Sequence, residues 1–114
     1  MNKYRDKSDF EINKAVAVNI NGTDAVLEKF GSIYISDGDR GAMVSFSPCN
    51  NPADAMPIIK DNLISLEHDG IAWQVSCVRH PEISVWDGCE NYNDNFYRKA
   101  MELFLLMKDA ENES

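Results

Sequence analysis

Three cysteines, Cys49, Cys77 and Cys89, and two histidines, His68 and His80, are the side chains of this chain best suited to nucleophilic or metal chemistry. Cys77-Val78-Arg79-His80 has the spacing of half a zinc site. A structural zinc wants four Cys or His ligands, usually paired at short spacing, and the chain offers one such pair. Cys77 also alternates with Trp73 and Val75, which puts it on an apolar strand face where a buried, inert thiol is expected. A cysteine nucleophile needs a base within hydrogen-bond reach and a depressed pKa. His68 sits in a turn beside Asp69-Gly70 and His80 precedes Pro81, so both read as solvated loop residues. There is no nucleophile elbow, no phosphate-cradling Gly-rich loop and no dinucleotide fingerprint. Asp37-Gly38-Asp39 is too short for a calcium loop and reads as a turn. The expectation is a chain without catalytic residues, metal or cofactor.

The run Pro48-Cys49-Asn50-Asn51-Pro52-Ala53-Asp54-Ala55 carries the most local information. Asn51 is placed to cap a helix, Pro52 suits its first position, and Asp54 complements its dipole. Free N–H groups at a helix start also form an anion site. A phosphate-bearing ligand would therefore meet Asn50, Asn51 and Asp54, with Arg40 or Arg79 supplying charge and Trp86 a stacking surface. In the opposing reading, Asn51 and Asp54 satisfy those donors themselves and the motif is structural.

These residues must be positioned by three helices and two hairpins. Ser8-Asp9-Phe10-Glu11 is a capping box, followed by Ile12, Ala15, Val16 and Ile20 at helical spacing until Asn21-Gly22. Residues 1–7 are polar and expected to be loose, leaving 8–111 as one globular domain. Short strands are predicted at about 25–30, 32–36 and 42–46, then a helix from Asn51 that Pro57 keeps short or kinked. A second hairpin spans about 63–67 and 71–78 around His68-Asp69-Gly70, and Ile83–Trp86 reads as a further short strand. The last helix begins near Asn93 or Asp94 and runs to about Ala110. Its apolar residues extend well round the cylinder, so it must be central or be covered by a partner, as in a homodimer formed through it. The fold class is α+β, with one mainly antiparallel sheet and helices in the order α-ββ(β)-α-ββ(β)-α.

The chain has 114 residues, 44% hydrophobic and 26% charged, which describes one ordinary globular domain. Eleven basic against nineteen acidic residues give a net charge of −8. That excludes non-specific binding to nucleic acid or to an anionic membrane, both of which need Lys and Arg. No apolar stretch approaches a membrane span and none follows the N-terminal charges, so neither a secretory leader nor an anchor is expected. An odd cysteine count at irregular spacing suits reduced thiols in a cytosol.

Cys49-Asn50-Asn51-Pro52-Ala53-Asp54-Ala55-Met56-Pro57-Ile58-Ile59 resembles the NinX family of small tailed-phage proteins. Ser8 to Ala17, Asp61-Asn62-Leu63-Ile64-Ser65-Leu66 and Ala100 to Met107 fit the same family in matching order, over most of residues 8–110. The resemblance implies a phage accessory protein in the host bacterial cytoplasm, with no established activity and no catalytic residues to carry over. It also implies, more distantly, an α/β/α sandwich. The leading expectation is non-enzymatic binding in host takeover or counter-defence, with a host protein or a second copy as partner. Sequestration of a small anionic ligand at the Asn51 helix start is the alternative.

Overall fold

The computed structural model describes residues 2–36, 43–70, 72–85 and 95–112. Helix α1 spans Asp9–Asn21, and the Ser8 side chain accepts from the Glu11 N–H as the capping box requires. Gly22, at φ +84°, ends it and returns its own N–H to the Val18 carbonyl. Strands β1 (Val26–Lys29), β2 (Ser32–Ser36) and β3 (Met43–Ser45) follow as an antiparallel sheet in that order. Phe30 (φ +52°) and Gly31 (φ +74°) make the two-residue turn between the first two, a pair of left-handed residues that suits the strand twist.

Helix α2 (Pro52–Asp61) is ten residues long and carries Pro57 inside, which fits its expected shortness. Strands β4 (Ile64–His68) and β5 (Trp73–Cys77) pair antiparallel, with Val75 and Cys77 buried and Ser76 exposed, so the expected alternation holds. Trp73 lies against Phe96, ring centroids 4.8 Å apart. Helix α3 (Phe96–Asn112) begins where the Asn95 side chain accepts from the Arg98 N–H. The expected starting residues, Asn93 and Asp94, lie outside the described residues.

Two expectations need correcting. The hairpins do not join into one sheet. Among the described residues they form separate sheets of three and two strands, the first packed on α1 and the second on α3, with α1 against α3 between them. Helices, rather than a single sheet, therefore occupy the middle of the molecule. No strand forms over residues 83–85, because the Ile83 N–H is turned back to the His80 carbonyl and the Val85 carbonyl accepts from Asn2. The N-terminal segment makes contacts with the rest of the domain. Asn2 is buried, the Tyr4 ring packs on the core, and the Tyr4 hydroxyl donates to Asp109 at 2.6 Å.

The third helix explains its own composition. Ala100, Met101, Leu103, Phe104, Leu105 and Met107 are all buried within this one chain. The apolar excess that suggested a covering partner is thus accounted for by α1, α2, β4 and β5.

Leu63 follows α2 with φ +58° and is 58% exposed, an αL position filled by a branched side chain. Leu63→Gly should raise the unfolding free energy by about 0.5–1 kcal/mol by removing the Cβ penalty, read as a higher urea midpoint with unchanged slope.

Candidate functional site

The Asn50–Asp54 motif is assembled as the sequence suggests, but its polar groups point at each other. The Asn51 side-chain oxygen accepts from the Ala53 N–H at 3.0 Å, and its carbonyl accepts from the N–H groups of Asp54 and Ala55. Pro52 has no N–H to offer. Asp54 accepts from the Ser47 N–H at 3.0 Å, and the Asn50 amide donates to Asp9 at 3.2 Å. Next to them Asn13 accepts from the Cys49 N–H and donates to the Ser47 hydroxyl. Every donor at the start of α2 is therefore engaged, and the Asp54 carboxylate stands beside it. The arrangement is a brace between α1 and α2, and an anion finds no free N–H there.

The other residues expected at that site are not brought to it. Arg79 donates to the Asn62 carbonyl at 3.1 Å, at the opposite end of α2 and about 15 Å of helix away from Asn51. Arg40 and Trp86 lie outside the described residues.

Of the three cysteines, Cys89 lies outside the described residues, and the other two are buried. The Cys77 thiol faces the Asn62 carbonyl at 3.6 Å, and Cys49 faces that of Asp9. Burial first, and then the nearby Asp9 carboxylate, push the Cys49 thiol up to about 12, so it stays protonated at neutral pH. His68 accepts from the Gly70 N–H through Nδ1, and His80 lies between Glu82 and Glu111. Among the described residues no three His, Cys, Asp or Glu side chains converge as a metal site.

Two features escaped the sequence reading. The first is a buried ionic cluster. Glu102, 1% exposed in the middle of α3, accepts from Arg98 at 2.7 Å and Asn2 at 2.5 Å, and pairs with buried Lys99 at 3.3 Å. Arg98 also pairs with Asp9 at 2.6 Å and donates to the carbonyls of Tyr4 and Lys7. Burial works against the Arg98 charge, and the bonds to Glu102 and Asp9 outweigh it, leaving the guanidinium more firmly protonated than usual. One signal was legible: Arg98, Lys99 and Glu102 at i, i+1 and i+4 interrupt a helix that is otherwise apolar on several sides.

The second is a groove of about 440 Å³ between the last turn of α1, β2, α2 and α3. Phe46, Ile58 and Phe104 form its buried floor, while Ile20, 47% exposed, stands on its edge. Asp54, Asp61 and Lys108 supply its charges. No sequence window contains this groove, because its lining comes from four elements.

Removing Glu102 takes away the buried carboxylate that Arg98 and Lys99 share. Glu102→Ala is expected to cost about 3–5 kcal/mol, measured by urea unfolding, whereas an equally mild surface change such as Glu11→Ala costs far less. Cys49 and Cys77 should resist thiol reagents at pH 8 in the folded protein and react at once in denaturant, as peptide mapping would show. The folded chain holds the Cys49 proton where an unfolded thiol, with its ordinary value of 9.0, releases it. Stability should therefore fall as pH rises through the window from 9 towards 12.

Among the described residues no helix is long and apolar enough to cross a membrane. No curated protein and no solved structure matches the chain. One family model, described as Bacteriophage P22, NinX, matches residues 3–108, a span that holds both the Asn50–Asp54 brace and the Arg98–Glu102 cluster. The chain belongs to the NinX family of phage accessory-type proteins.

Proposed function

We propose that this phage protein acts by binding, not by catalysis, and that the groove between α1, α2, β2 and α3 is where it holds another protein. The observation that carries this reading is the groove itself: a buried floor of Phe46, Ile58 and Phe104 opening between exposed Ile20 and Pro57. An apolar floor with a few charges at its margin is the usual form of a site that takes a protruding side chain from a partner. The protonated, enclosed Cys49 supports the non-catalytic half of the proposal. In a phage accessory protein the natural partner is a host protein, bound in takeover of the cell or in countering its defence. The filled donors at the start of α2 give no support to sequestration of a small anion there.

The test uses the full chain as bait in a lysate of a bacterial host, beside an Ile20→Glu variant that places a charge on the groove edge while touching only a half-exposed position. The expected result is a discrete host protein retained by the natural chain and depleted at least tenfold on the variant. Equal retention of the same proteins by both baits overturns the assignment of the groove.

A further inference from the structure

Phe30 is the least explained residue of the fold. It is 90% exposed, and its φ of +52° is one that a bulky side chain adopts only at a cost. Asn or Gly would make the same two-residue turn with less strain. Neither burial nor turn geometry accounts for an aromatic ring here, and backbone strain of this kind gathers where binding sets the residue. Lys29 extends its ammonium over the ring, 5.3 Å from its centroid, so the hairpin tip presents an aromatic face with a cation attached.

The same chain carries a receptor of complementary chemistry. The groove has an apolar floor and, in Asp54 and Asp61, two carboxylates against the single Lys108. The two features lie at opposite ends of the first sheet. Phe30 follows the end of β1 at the turn, whereas groove residues Asn21 and Ile35 lie near the start of β1 and towards the end of β2. A tip therefore cannot fill its own groove. Two copies lying antiparallel can each place a tip in the other's groove, which closes the pair with a two-fold axis.

We propose that the occupant of the groove is Phe30 of a second copy of this chain, with Lys29 facing Asp54 and Asp61 across the contact. The proposal rests on the reading of the groove as a protein-binding site. It adds that a host partner competes with this self-contact. An aromatic ring buried in a pocket is a common anchor of protein interfaces.

The test is sedimentation of the full chain from micromolar to millimolar concentration, as the natural protein, as Phe30→Asn and as Ile20→Glu. Asn is at ease at positive φ, so Phe30→Asn should keep or raise Tm and remain folded. The natural chain should become a dimer. Each variant should dimerise about a hundredfold or more weakly, since two anchors worth about tenfold each are lost per pair. A one-to-one mixture of the variants should form a heterodimer of intermediate affinity, because one intact tip meets one intact groove. A natural chain that stays monomeric throughout, or a Phe30→Asn variant that dimerises unchanged, overturns the proposal. The groove reading is tested apart from it: Phe30→Asn leaves the groove intact and should still capture the host protein, whereas Ile20→Glu should lose both.

Discussion

A carboxylate buried inside a helix ties distant parts of this fold together. Glu102 is enclosed by the protein, and an ionised carboxyl there is tolerated only if its surroundings replace the water it has lost. Arg98 and Lys99 do so from its own helix and Asn2 from the far end of the chain. Arg98 then spends its remaining donors on Asp9 and on carbonyls of the N-terminal segment. One requirement for charge compensation thus docks residues 2–7, orients the start of α1 and sets its position against α3. The Asn50–Asp9 bond continues the same network into the start of α2.

That docking makes α3 the centre of the molecule. With α1 on one side and β4–β5 on another, its apolar residues are covered by the chain itself. Two small sheets then lie apart, each on its own helix, instead of merging into one. The groove is a consequence of this arrangement. It opens where the last turn of α1, the proline-bearing α2 and the α3 face containing Phe104 meet without filling the space between them.

The Asn-Asn-Pro-Ala-Asp run shows how one motif supports two readings that only coordinates separate. Its residue types suit an anion site and a self-capped helix start equally well. The cap wins because Asn51 and Asp54 take up or guard the donors that a ligand would need. At Phe30 the conflict runs the other way: the local backbone asks for Asn or Gly, and the chain has an exposed aromatic instead.

What the sequence by itself determined was the local grammar. The Ser8 capping box, the Asn51-Pro52 helix start, the alternation of β5 and the order of the elements all depend on neighbours a few residues away, and all are legible as such. So was the apolar excess of the last helix, though not what covers it. Tertiary structure alone decided that the hairpins stay apart, that residues 2–7 are held, that Arg79 sits at the wrong end of α2 for the expected site, and that a groove exists. Each of these depends on contacts between segments distant in the chain. The partners of Glu102 illustrate the reason: Arg98 and Lys99 follow from helical periodicity, whereas Asn2, 100 residues away, is chosen only when the chain has packed and a buried charge must be satisfied.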